Sequence, residues 1–483
     1  MISKSFLKSS IIYTIGGALP MAAGLILLPF YTNYLNDLHF TQVAFYISVS
    51  LLMQILFSYS IESYFGIKYS KLKSDPQQQK RFIGTVAILL LVIGAGLLLI
   101  SAVSGTYIFS KVFNPAFQME FWPFGFYSVL TAFFNSYFKA STNALIYLKK
   151  PGLFFTANLI NFIATIGISV GGLFLFPDTI IGPIYGRLLS GVIIFTIANY
   201  IYLSNGKFKY EKDFIGDLKA FCTPYVIYVS FVWLLSYTDR YMLQEFIPNT
   251  DLNTYDLVLK CFFGIEFLQN SLTAIIYPKI YEIWADQKEL HTSKETNRYF
   301  NVFTAINILL LIVFCITIPL LYKLVISNEK FYESEKYIGI LAAGYGLRSI
   351  LYFYLATILY SKNIKILLKI FGISAAFQLA VTYFVVKDYG LMGAIYTGLG
   401  VKVLQIILSY LFTKNIFRYE FNGMKIIGIP FLYLALNVAL FYFHPEYSLT
   451  LYIAQLAVFS IIFFLIFNNE IKAVYKQFAG KKA

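Results

Sequence analysis

The sequence predicts an all-α polytopic membrane protein of about fourteen transmembrane helices, and three observations lead there. Apolar runs of about 18 residues or more recur along the whole chain, the length that crosses ~30 Å of hydrocarbon at ~1.5 Å per residue. Of the 483 residues, 58% are hydrophobic and only 13% charged, where a soluble domain is nearer about a quarter charged. The basic residues fall in short clusters between the runs. Every backbone polar group in lipid must be paired within its own segment, so the runs are expected to be helices. The alternation of a membrane β-barrel, in segments of about ten residues, is absent.

The expected spans, in order, are 9–35, 43–67, 82–104, 121–147, 152–176, 181–203 and 219–238, then 257–280, 299–321, 337–360, 366–386, 391–412, 426–443 and 449–467. Lys4 and Lys8 precede the first run, which lacks a small-residue cleavage site and reads as a span rather than a removed signal peptide. The last two spans have no counterpart in the repeat described below and read as an added pair. Alternate loops from the N-terminal side carry 27 of the 38 Lys and Arg. The opposite side carries six: Lys111, Arg240, Lys323, Lys330, Lys336 and Lys387. That asymmetry places both termini in the cytoplasm of a polytopic inner-membrane protein. The net charge of +14 is this loop bias rather than a nucleic-acid surface. The three cysteines and three histidines are scattered, with no CxxC. No disulfide framework, metal site or cofactor is implied.

An internal repeat of about 210 residues runs through the first twelve spans. GPIYGRLLSG (from Gly182) is echoed by GAIYTGLGVK (from Gly393), and FKYE (from Phe208) by FRYE (from Phe417). ALIYLKK (from Ala144) is echoed by TILYSKN (from Thr357), and Pro20 by Pro224. The expected organisation is a six-helix bundle over 1–210, a second over 211–420, and two further helices with a cytoplasmic tail over 421–483. An even number of spans per repeat gives both halves one orientation, a transporter plan whose site lies between the repeats.

Several stretches resemble one family: LPMAAGLILLPFYTNYL (19–35), SIESYFGIKYSKLKSD (60–75), LLSYTDRYMLQEF (234–246) and TYDLVLK (254–260). In order and spacing these are similar to the polysaccharide transporters, including the Wzx-like O-antigen and capsule flippases. That family belongs to the superfamily of multidrug, oligosaccharidyl-lipid and polysaccharide exporters. The sequence departs from the pattern at 38–46, which lacks the usual glycine, and at Asn253. The resemblance implies export of an undecaprenyl-diphosphate-linked oligosaccharide of O-antigen, lipopolysaccharide, capsule or exopolysaccharide type. It implies partners among membrane lipids and the other polysaccharide assembly proteins, and no nucleic acid. It also assigns Asp239 and Arg240 to a motif at the outer end of the seventh span.

Ionisable groups within spans cost several kcal/mol unless they face a cavity or a partner, so each is a site candidate. Five bases fall there: Lys139, Arg187, Lys260, Arg348 and Lys402. All five are expected to contact substrate, since a cationic cavity lowers the barrier for an anionic headgroup and Arg donates two parallel hydrogen bonds to phosphate. Arg348 otherwise sits in a structural ion pair. Arg187 otherwise anchors a close helix contact through Gly182, Gly186 and Gly191. Lys260 otherwise snorkels to the interface. Glu62 and Glu266 are the two acids within spans, 204 residues apart like Pro20 and Pro224. Either they bind a coupling proton or Na⁺, or they neutralise a basic neighbour. Asp239 and Arg240 form a gate or a helix-end pair.

The expected function is therefore a non-enzymatic flippase working by alternating access through a cationic central cavity. A cation-coupled multidrug exporter of the same superfamily is the first alternative, disfavoured by the excess of buried bases over acids. A membrane polymerase or glycosyltransferase is the second. It would need a sizeable outer loop with catalytic acids, and the longest expected, 239–256, is some 18 residues. No Walker loop is present.

Overall fold

A computed structural model describes residues 4–285 and 291–479 of the chain, with side chains from Ile12 onward except at 469, 471 and 473–479. Residues 286–290 of the expected cytoplasmic loop 279–298, the side chains of Lys4 and Lys8, and residues 480–483 of the expected tail lie outside the described residues. Among the described residues the chain is helical, with a single isolated bridge between His291 and Arg418 in place of any strand. It divides into two compact units, 1–245 and 246–483.

The first unit holds α1 (Lys4–Tyr34), α2 (Asp37–Ser58), α3 (Ile61–Lys71), α4 (Pro76–Val112), α5 (Phe126–Tyr147), α6 (Pro151–Leu175), α7 (Ile181–Asn205) and α8 (Asp213–Leu243). The second holds α9 (Asn249–Ala285), α10 (Lys294–Val325), α11 (Glu335–Tyr360), α12 (Ile364–Thr413), α13 (Ile429–Phe443) and α14 (Leu449–Ala479). Packing thus groups α8 with the first unit, whereas the sequence periodicity starts a second copy there.

Among the described residues, eleven segments are long and apolar enough to cross a membrane, which makes this a multi-pass membrane protein. Three details explain why the figure differs from the expected fourteen. The expected spans 366–386 and 391–412 form one 50-residue segment, α12, broken at Gly390, whose φ of 52° and ψ of −131° no helix contains. That conformation is open to glycine and little else. The helices at the expected spans 121–147 and 257–280, α5 and α9, carry too many polar side chains to pass on apolarity. Those polar residues belong to the sites described below.

The second expected span falls within one candidate crossing, Asp37–Lys71, which turns a corner at Tyr59 and Ser60, where left-handed backbone separates α2 from α3. The expected outer loop 239–256 is mostly helix, since α8 runs to Leu243 and α9 starts at Asn249. Asp239 and Arg240 are buried in the last turns of α8, so the loss of apolarity at 239 marks a buried polar pair close to the helix end.

The repeat has a backbone counterpart at two places. Lys149 and Lys362 both adopt left-handed backbone, with φ of 55° and 54°. At each, the next residue's N–H reaches back five residues: Lys150 to the Leu145 carbonyl at 3.0 Å, Asn363 to the Ile358 carbonyl at 3.4 Å. This Schellman-type closure satisfies the last helical carbonyls, a place normally taken by Gly or Asn. FKYE and FRYE are likewise held alike. The Glu211 N–H donates to the Thr85 hydroxyl at 3.2 Å, and the Glu420 N–H to the Thr292 hydroxyl at 2.6 Å.

Within the first unit, α6 packs against α1 and α7, and α5 against α2 and α7. Glycine makes the α6–α7 contact possible. A Cβ on Gly172 would stand 2.6 Å from the Gly182 Cα, and one on Gly186 would collide with Ser169. α4 turns Val92, Leu99, Ile100 and Val103 outward, as a lipid-facing helix does. In the second unit α11 is enclosed by α9, α10, α12 and α13, and nearly every residue from Ile338 to Ile358 is buried. A helix apolar all round belongs in such a place.

A polar clasp joins the α1–α2 turn to the α6–α7 turn. Asp178 accepts from the Asn36 N–H at 2.8 Å, the Asn36 side chain at 3.0 Å and His39 Nδ1 at 3.0 Å. Partial burial pushes the carboxyl up, but these three donors outweigh it and hold Asp178 below its ordinary value. A depressed folded value means stability that is present above the ordinary carboxylate range and lost as pH falls through it. Asp178→Ala is expected to lower stability, and with it the melting temperature, at neutral pH, by about 1 kcal/mol of unfolding free energy at most because the side chain is half exposed. The gap between variant and wild type should close below about pH 4 in a thermal-shift series.

Candidate functional site: two acid–base clusters

The left-handed corner at Tyr59 and Ser60 sets Glu62 in the first turn of α3, where the helix N-terminus favours a carboxylate. Its Oε1 lies 3.1 Å from Lys139 Nζ on α5. The Asn143 side chain, one turn further along α5, donates to the Glu62 carbonyl at 2.9 Å and pins the start of α3. Lys139 remains 67% exposed while Glu62 is 20% exposed, so the pair opens from a sheltered carboxylate toward free space. That space is a cavity of about 600 Å³ within the first unit. Arg187 of α7 also lines it, and Glu62, Lys139 and Arg187 are the charged residues of its wall.

Glycines at 182 and 186 seat α7 on α6, and the next residue, Arg187, turns to the cavity. Both sequence readings of Arg187 therefore describe part of its setting.

In the second unit Arg348 sits midway along the enclosed α11. Its guanidinium is 2.8 Å from Glu266 Oε1 on α9, with 25% and 29% of the two side chains exposed. The Tyr345 hydroxyl donates to the same oxygen at 3.2 Å. The Arg348 guanidinium lies 4.6 Å from the Tyr345 ring centre and Lys402 Nζ 5.2 Å from it, both within cation–π range. Room for Lys402 comes from Gly344, where a Cβ would stand 2.7 Å from the ammonium. Gln269 donates to Asn307 at 2.8 Å and to the Tyr345 carbonyl at 3.1 Å, holding α9, α10 and α11 in register.

The two clusters correspond span by span, though not residue by residue. An acid on the second span of each half, Glu62 or Glu266, pairs with a base on the fourth span, Lys139 or Arg348. A further base stands on the sixth span of each half, Arg187 or Lys402. Each cluster therefore holds two bases and one acid.

The other candidates lie apart from this pattern. Lys260 pairs one turn back with Asp256 at 2.5 Å, and Asp256 is only 3% exposed. Within α8 the Asp239 carboxylate accepts from the Arg240 N–H at 2.9 Å, and the Arg240 guanidinium stacks 4.8 Å from the Tyr237 ring centre.

Sequence reasoning missed the uncharged half of the first cavity. Gln54, Asn135, Asn143, Asn158 and Asn161 line it with the three charges. The signal is present as helical spacing: Asn135, Lys139 and Asn143 are four apart on α5, and Asn158, Asn161 and Thr165 three and four apart on α6. A polar stripe in apolar text marks an inward face as surely as a charge does.

The fold is that of known membrane transporters. One similar structure is described as the lipid II flippase MurJ in an inward-closed conformation, with a TM-score of 0.70, 13% identity, and 97% of this chain and 99% of that one covered. Another is an inward-facing multidrug-resistance MATE family transporter of the MOP superfamily, with a TM-score of 0.63, 12% identity, and 86% and 99% covered. A third is the Vibrio cholerae MATE transporter VcmN, at 0.55, 12% identity, and 85% and 96% covered. No protein-family model matches the chain, and no curated protein matches it by sequence.

Proposed function

We propose that this chain is a flippase that moves a diphosphate-linked oligosaccharide on a polyprenyl lipid across the bacterial inner membrane by alternating access. The observation that carries the reading is the repeated cluster of two bases and one acid. Each unit presents a net positive charge inside the bilayer, where an isolated charge is expensive and persists for a use. A diphosphate is the matching cargo, since Arg and Lys bind it by charge-assisted hydrogen bonds. The fold is consistent with this, because a protein described as a lipid II flippase shares it over nearly the whole chain.

On this reading Arg348, Arg187, Lys139 and Lys402 contact the phosphates. Lys260 is drawn toward Asp256 and serves the substrate from a more distant position, and Asp239 with Arg240 acts as a helix-end gate. Glu62 and Glu266 hold the bases while no cargo is bound. When a phosphate takes the base, the freed carboxylate accepts a proton or Na⁺, which couples the ion to the cargo. The chain has fourteen spans, α5, α9 and both arms of α12 among them, with both termini cytoplasmic. The repeat halves, 1–210 and 211–420, carry the sites, and 421–483 is an added pair of helices.

The cargo is the O-antigen, capsule or exopolysaccharide unit that the motif resemblance implies. The test is expression in strains each lacking its own flippase for one such glycan, with surface glycan as the readout. Rescue in one strain is expected, and its loss in Arg187→Ala combined with Arg348→Ala. Undiminished rescue by that double variant would refute the site. Drug resistance with no rescue in any strain would mark a cation-coupled exporter instead.

A further inference from the structure

The cavity of the first unit offers more than charge. Five carboxamides line the cavity with Glu62, Lys139 and Arg187. Asn158 and Asn161 are buried and Gln54, Asn135 and Asn143 half-buried, and polar groups set in an apolar bundle are costly unless each finds a partner. The described residues supply only part of the need. Asn143 spends its N–H₂ on the Glu62 carbonyl and Asn158 its own on the Phe154 carbonyl. Asn161 accepts from Thr165 through its carbonyl oxygen. What is left over is mixed: donors on Asn161, acceptors on Asn143 and Asn158, and both on Gln54 and Asn135.

That mixture selects a chemistry. A bare phosphate has only acceptors and would leave the amide carbonyls unmatched. A cation would leave the amide N–H₂ groups unmatched. A hydroxyl both donates and accepts, so a ring bearing several hydroxyl or acetamido groups satisfies the whole set. The wall also carries Phe138, Phe154 and Phe162, against which the apolar face of a sugar ring can lie. At about 600 Å³ the space falls within the usual range of small-ligand sites, ~300–1,000 Å³.

The surroundings of the second acid–base pair make the contrast. There Gln269 donates to Asn307 and to the Tyr345 carbonyl, and Asn270 accepts from the Tyr352 hydroxyl at 3.2 Å. Both acid–base pairs have amides beside them, and those beside Glu266 are engaged with protein groups.

We propose that the amide-lined cavity of the first unit reads the first sugar of the cargo, through Gln54, Asn135 and Asn161, while Arg187 and Lys139 hold the adjoining phosphate. The proposal rests on the lipid-linked glycan reading above and adds to it which unit discriminates the sugar. Two probes separate the claims: undecaprenyl diphosphate, and the same lipid carrying one N-acetylhexosamine. Each is titrated against the purified full chain in lipid nanodiscs.

Wild type is expected to bind the glycosylated lipid at least about tenfold more tightly than the bare one, since a site built for hydroxyls rejects an analogue that lacks them. Gln54→Ala combined with Asn135→Ala should erase that preference and leave affinity for the bare lipid unchanged. The single variant Asn135→Ala, with a melting temperature within a degree or so of wild type, should lose part of the preference and guards against a folding artefact. Equal binding of both lipids by wild type, or a preference that survives both variants, overturns the sugar assignment alone. If neither lipid binds wild type, the flippase reading falls with it.

Discussion

Arg348→Leu is expected to lower both stability and transport, and adding Glu266→Leu should restore the first without the second. The single change leaves the Glu266 carboxylate held by Tyr345 but stripped of its counter-charge, at a position 29% exposed. Removing one partner of a sheltered ion pair costs about 3 kcal/mol or more, most of it from the stranded charge. Replacing both partners with apolar side chains of similar bulk removes that charge and is often neutral. A denaturation series on the two variants reads the stability half of the prediction. A liposome assay of lipid-linked glycan movement reads the other, with at least about a tenfold loss expected in both variants. Recovery of transport in the double variant would make Arg348 a structural residue and nothing more.

The second large effect lies in the first unit. The charged lining of its cavity is Lys139, Arg187 and Glu62, one net positive charge. Arg187→Glu turns that into one net negative charge. Two unit charges ~5 Å apart at an effective dielectric near 20 interact by about 3 kcal/mol. Reversal should therefore weaken binding of a diphosphate lipid at least about a hundredfold, even after screening by water reaching the exposed Lys139. Glu62→Gln acts in the opposite sense: it frees Lys139, so binding tightens while turnover slows because the cargo no longer meets a competing carboxylate on leaving. Affinity and turnover measured on the same preparation separate these outcomes. An Arg187→Glu protein that binds normally would exclude this cavity from the cargo's path.

Much of this arrangement is legible in the order of the amino acids. Apolar length locates the helices, and the offset of 204 residues between Glu62 and Glu266 hints that the two acids play one part twice. The partners are not legible, since nothing in spacing alone says that Lys139 reaches Glu62 or that Arg348 reaches Glu266. Apolarity also misleads wherever a helix is polar for a reason. Asp239 and Arg240 read as a helix end and do stand in the last turns of α8, but apolarity gives no sign that both are buried. Asn135, Asn158 and Asn161 escape notice because they carry no charge and so do not stand out as buried ionisable groups do. The corner at Tyr59 and Ser60 has no glycine or proline to announce it, so the device that aims Glu62 is a product of packing.

The two left-handed lysines, Lys149 and Lys362, bear on ancestry. Lysine gains nothing from left-handed backbone, where a side chain other than Gly or Asn is uncommon. The same awkward residue at the same corner of both bundles, closing the same hydrogen bond, is a shared heirloom rather than a solution found twice. A doubling of an ancestral bundle that already carried that corner accounts for it.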